Sequence, residues 1–153
     1  MSAALATIYN HRAIDERLGS SGQPSVKQLG DIAEAGYTTV INLALHDDPR
    51  YSLPDEAGTV ASLGMRYVHI PVQFGAPMRE DLKAFFDAMD GCRGEKVWVH
   101  CAANLRVTAF LGLYWALREQ RPREQAFALM REVWRQPDPV WDAFIDDALA
   151  SPP

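Results

Sequence analysis

The sequence predicts an α/β fold of three layers, a central, mainly parallel sheet of four to five strands flanked by helices. Two observations carry that expectation. Short apolar runs rich in β-branched residues, TTVINL (38–43), RYVHIPV (66–72) and KVWVHC (96–101), alternate with longer segments of helical period. The last of them is followed by RVTAFLGLYWALRE (106–119), a helical segment apolar on nearly every side, which has to be buried all round.

Taken in order, a short N-terminal strand or hairpin ending near SSGQP (20–24) adds an edge to the sheet. Ser25-Val26-Lys27-Gln28 is a capping box that starts a helix over 25–35, ended by Gly36. Asp55 and Glu56 stand in the first turn of a helix over 54–63 that stops at Gly64. A third helix over 79–90 sets Leu82, Phe85, Phe86 and Met89 on one face, and Gly91, Arg93 and Gly94 form the turn after it. Two further helices are expected over 122–135 and 138–149, broken at Gln136-Pro137, with Trp134 and Trp141 as core aromatics.

Length and composition bound the function. A chain of 153 residues, 48% hydrophobic and 23% charged, fits one globular domain over 1–153. No apolar run approaches the roughly 20 residues of a membrane helix, and the polar N-terminus does not resemble a secretory signal, so the expected address is the cytoplasm, with no membrane partner. A net charge of −5 without a basic run argues against a nucleic-acid partner. His11, His46, His69 and His100 lack metal-ligand spacing, so neither a metal nor a cofactor is expected. Cys92 and Cys101 are too few for a disulfide framework.

In open parallel sheets ligands bind beyond the carboxyl ends of the strands. The segments 44–53, 73–79 and 101–106 converge there, and the last carries the chemistry. In VHCAANLRVT (99–108) a strand runs through a tight loop into a helix N-terminus, whose unpaired amides and dipole favour an anion. Ala102 and Ala103 let the backbone curl closely, and Asn104 suits a left-handed position. The same field favours thiolate at Cys101, a nucleophile, and Arg106 can hold two oxygens of an oxyanion with its planar fork.

The segments SSGQPSVKQLGDIAEAGYTTVINL, LGMRYVHIPV and VHC…R.T together resemble the small bacterial, dual-specificity-like members of the protein tyrosine phosphatase family, over about 17–120. The resemblance implies a cysteine-phosphatase-like fold and hydrolysis of a phosphorylated protein or small phosphoester. Cys101 would attack phosphorus, Arg106 and the amides of Ala102, Ala103, Asn104 and Leu105 would hold the oxygens, Thr108 would supply the hydroxyl at Cys+7, and His100 would orient the loop.

The chain departs from the family at two places. The family's loop is His-Cys-x5-Arg, whereas here Arg106 is at Cys+5 and Val107 occupies the family's arginine position. Either the loop keeps its length and Arg106 reaches in from the neighbouring position, or it has lost a residue. A Cys-x4-Arg loop also resembles rhodanese sulfurtransferases, which carry a persulfide. The family's general acid, an aspartate after the Ile-Pro-Val strand, is replaced by Gln73 and Phe74. Gln has no proton to give, and losing general acid catalysis costs about 10²–10⁴ in rate. Glu80 and Asp81 read more simply as complements of a helix dipole. His46, Asp47 and Asp48 read as a solvated loop tip, and Cys92 as a helix end before a resolving thiol. Three readings stay open: a cysteine phosphatase that prefers aryl esters, a sulfurtransferase, and a phosphate-binding protein without turnover.

Overall fold

The computed structural model describes residues 3–50 and 52–153. Five strands form one sheet in the order β1-β2-β5-β3-β4: β1 (Arg12–Ala13), β2 (Leu18–Ser21), β3 (Thr39–Asn42), β4 (Arg66–His69) and β5 (Val97–His100). β2, β5, β3 and β4 are mutually parallel, and only the edge strand β1 is antiparallel to its neighbour. The carboxyl ends Ser21, His100, Asn42 and His69 therefore meet at one rim. The expected N-terminal hairpin is present, and its second strand is an interior strand beside β5.

Alternation along the strands divides the core between the two faces of the sheet. Val40 and Trp98 pack with Leu29, Ile32 and Val60 from α1 (Val26–Glu34) and α2 (Glu56–Ser62). Ile41, Val97 and Val99 pack with α3 (Arg79–Gly91), α4 (Leu105–Leu117) and α7 (Pro139–Ala150). α4 is the centre of that layer: Arg106 through Trp115 are all buried, and each large side chain among them contributes about 1.5–3 kcal/mol.

Local signals set several boundaries. The Ser25 hydroxyl accepts from Gln28 N at 3.1 Å and Gln28 Oε1 accepts from Ser25 N at 2.9 Å, the reciprocal capping box. Gly36, at φ 97°, takes the left-handed turn beyond α1 that a side chain would strain. One boundary needs correction. The expected helix over 122–135 is two helices, α5 (Arg123–Ala126) and α6 (Ala128–Val133), separated at Phe127 with φ −103° and ψ 14°. The cause is tertiary: Phe127 lies against Gly112 of α4, where a Cβ would come within 2.4 Å of its ring.

Candidate active site

Cys101 follows β5, and α4 begins at Leu105, so the loop between them is Cys101–Asn104. Asn104 adopts the left-handed conformation, φ 67°, that the tight turn requires. It stands at the N-cap of α4 but makes no side-chain cap. Instead its Nδ2 donates to Asn10 O at 3.0 Å and Ser20 Oγ at 3.1 Å. The first intrahelical bond is from Thr108 N to Asn104 O, which leaves the amides of Leu105, Arg106 and Val107 without helical acceptors. An uncapped N-terminus next to a cysteine is a position that suits an anion.

Val107 is buried in the core, while Arg106 turns toward the rim, where its Nη1 donates to Val72 O at 2.8 Å. Arg106 is only 8% exposed, yet its Nε is buried without a partner among the described residues. With Nη1 occupied, the edge formed by Nε and Nη2 is the one left for two oxygens of a ligand. Thr108 is placed differently: its hydroxyl donates to Leu105 O at 2.9 Å and accepts from Trp134 Nε1 at 3.1 Å, so its one proton is committed inside the helix turn. Cys101 itself is buried, with its N–H donating to Ser21 O at 3.3 Å.

The segment SSGQ is the outer brace of this loop. Gln23 N donates to Ala102 O at 3.0 Å, Gly22 bridges to Ala103, and Asn10 Nδ2 donates to Ala103 O at 2.9 Å. A Cβ on Gly22 would come within 2.5 Å of Ala102 O, so only glycine allows that approach. Beneath the loop, His100 Nε2 donates to Glu56 Oε2 at 2.6 Å, and Gln23 Nε2 donates to Glu56 Oε1 at 2.7 Å. Burial alone would raise the carboxyl pKa of Glu56, but the hydrogen bond and charge of His100, with the bond from Gln23, outweigh it and hold the group below its ordinary value. Sequence reasoning placed Glu56 in a helix first turn and missed this role, because its partner His100 is 44 residues away. It also read Trp134 only as a core aromatic, whereas its Nε1 caps Leu105 O at 3.1 Å and braces the start of α4.

Gln73 and Phe74 stand where the resemblance would place an acid, and the carboxylate on the adjoining cavity wall, Asp138, accepts from Val140 N and Trp141 N at the N-cap of α7. Gln73 is exposed and its carbonyl accepts from Ala76 N at 3.2 Å in a turn. Phe74, 37% exposed, stacks on Trp134 at 5.7 Å between ring centroids. These two rings, with Leu105 and Pro137, line a cavity of about 400 Å³ at the start of α4. The loop 46–48 exposes His46 and Asp47 at its tip, as expected, and His46 is also hydrogen-bonded. Ala44 N–H donates to Asn42 Oδ1, which turns Asn42 Nδ2 toward His46 Nε2 at 3.0 Å and Tyr67 OH at 3.0 Å. His46 Nε2 is thus an acceptor. Desolvation and the charge of His69, whose ring stacks at 4.1 Å, lower the pKa of His46 against the opposing pull of Glu56. Asp48 is paired with Arg50 at 2.8 Å, and Glu80 and Asp81 lie in the first turn of α3. Cys92 caps the end of α3, and Arg66 Nη2 donates to its Sγ at 3.4 Å.

The chain resembles known proteins in sequence and fold. The family model described as "DSP-PTPase phosphatase fused to NAD+ Kinase" matches residues 9–139. A DUF442 protein from Shewanella putrefaciens CN-32, a candidate phosphatase, is 36% identical and superposes with a TM-score of 0.85 over 96% of this chain and 95% of its own. Tk-PTP in its active form shares the fold, with a TM-score of 0.76 over 94% of this chain and 98% of its own, at 21% identity. The beta-lactamase hydrolase-like protein of Xylella fastidiosa (strain Temecula1) is 29% identical over 118 residues, 76% of this chain. This chain spans only 27% of that relative's length.

Proposed function

Because the chain belongs to the dual-specificity-type protein tyrosine phosphatase family matched over residues 9–139, we propose that it is a cysteine-dependent phosphatase acting on aryl phosphomonoesters, phosphotyrosine among them. The observation that carries this reading is Arg106, whose buried guanidinium is fixed by Val72 O and keeps an unpartnered Nε beside the uncapped start of α4.

The chemistry follows from these groups. The phosphoryl oxygens take the Nε–Nη2 edge of Arg106 and the free amides at the start of α4, donors fixed in place before the charge develops. Cys101 Sγ attacks phosphorus, the ester P–O bond breaks, and the alcohol leaves as its anion. Water then cleaves the S–P bond and releases phosphate. With Gln73 in the proton donor's place and the Asp138 carboxylate held by the first amides of α7, the leaving group departs without a side-chain proton, which suits phenolates and penalises alkoxides. Phe74 and Trp134 offer the ring of an aryl ester a stacking surface close to Leu105.

The test compares kcat/KM for 4-nitrophenyl phosphate, phosphotyrosine and phosphoserine. Aryl esters are expected to exceed phosphoserine by at least about 10², the size of the missing general-acid contribution. Equal rates on the aryl and alkyl esters contradict a site without a proton donor.

A further inference from the structure

Beside the Cys101 loop lies a cavity of about 390 Å³ whose walls include Tyr9, Asn10, Arg12, Ala103, Glu132 and Arg135. Neither of its two arginines is paired with a carboxylate among the described residues, and Arg135 also lines the neighbouring cavity beside Phe74 and Trp134. Arg50, Arg66, Arg93, Arg118, Arg121 and Arg123 are each paired with a carboxylate. Arg12, by contrast, donates only to the backbone carbonyl of His11, at 3.0 Å. Arg135 has no hydrogen bond or ion pair among the described residues. In a protein of net charge −5, two unneutralised guanidinium groups facing one cavity are a local reversal of sign. Glu132 is the one carboxylate on the wall, and it is exposed to solvent.

The cavity is joined to the loop. Ala103 belongs to both, and Asn10, at φ 52°, donates to Ala103 O and accepts from Asn104 Nδ2. The segment that carries Arg12 is therefore hydrogen-bonded to the turn that would surround a phosphoryl group.

We propose that this cavity is a second anion subsite, in which Arg12 and Arg135 hold a second phosphoryl group of a small bisphosphorylated substrate whose first occupies the Cys101 loop. The proposal rests on the phosphatase reading for the first group. Two planar forks without a carboxylate partner match the several oxygens of a phosphoryl group, and the dianion gains most from charge-assisted bonds at a partly enclosed surface.

Isothermal titration of Cys101→Ser protein with glucose 1,6-bisphosphate and with glucose 6-phosphate tests the subsite without turnover. The bisphosphate is expected to bind at least about tenfold more tightly, about 1.4 kcal/mol. Adding Arg12→Gln and Arg135→Gln should bring the ratio of affinities to within about twofold, with thermal melts of both proteins recorded to check folding. A ratio near one in Cys101→Ser protein, or a ratio that survives both substitutions, overturns the proposal. Turnover of 4-nitrophenyl phosphate by the parent, measured alongside, separates the two readings: turnover with a ratio near one removes the subsite alone, and a tenfold ratio lost in the variant without turnover supports the subsite while removing the hydrolase.

Discussion

Replacing Glu56 by glutamine removes one charge from a buried site and keeps the side chain's shape. Glu56 is 1% exposed and His100 fully buried, and the carboxylate accepts from both His100 Nε2 and Gln23 Nε2. A glutamine has one oxygen for these two donors, and its amide N–H₂ then faces the other. One charge-assisted hydrogen bond is lost, and a buried donor is left unpaired. Breaking one side of a buried pair of this kind costs about 3–5 kcal/mol. With a urea m-value of about 2 kcal/mol/M, the midpoint of unfolding falls by about 2 M at neutral pH. Glu95→Gln is the matched control, because the Arg66–Glu95 pair at 3.1 Å is solvent-exposed on both sides and is worth less than about 1 kcal/mol. Urea unfolding followed by tryptophan fluorescence measures both. A Glu56→Gln midpoint as close to the parent's as that of Glu95→Gln refutes the buried pair as the brace beneath the loop.

Arg106→Lys keeps the charge but not the fork, so kcat for an aryl phosphate should fall by about 10²–10³, with far-ultraviolet circular dichroism unchanged. A loss under about fivefold contradicts the assignment of Arg106. Gly112→Ala places a Cβ 2.4 Å from the ring of Phe127, which is itself buried, and a thermal melt should show a loss of about 1–3 kcal/mol. Acid unfolding tests the sign at Glu56. Its folded-state pKa is lowered, so the stability it contributes is present above the unfolded carboxylate's pKa and disappears as pH falls through the folded value. Glu56→Gln should therefore show a shallower loss of stability than the parent between pH 5 and the acid midpoint, and parallel curves would contradict it.

What could be read in the sequence was what is encoded locally. Ser25 and Gln28 sit three residues apart and form their capping box without outside help, and Gly36 ends the helix by its own φ. The loop could be read for the same reason, since Cys101, the small residues, Asn104 and Arg106 are contiguous. Glu56 could not, because a carboxylate in a helix first turn has an adequate local explanation until the crossover brings it beneath His100. The split at Phe127 has the same origin: the segment 122–135 has helical spacing throughout, and the packing of Phe127 on Gly112 overrides it. The purpose of SSGQ was likewise hidden, as its partners Ala102 and Ala103 lie on the strand-to-helix turn far along the chain.

The chemistry at Cys101 can be observed directly by rapid acid quench of the parent with 4-nitrophenyl phosphate, followed by peptide mass spectrometry. A phosphoryl adduct on the peptide carrying Cys101, absent from Cys101→Ser protein, is the predicted result. Phosphate release at an equal rate by Cys101→Ser protein, or a sulfur adduct formed from thiosulfate with no hydrolysis of the aryl ester, would contradict a cysteine phosphatase.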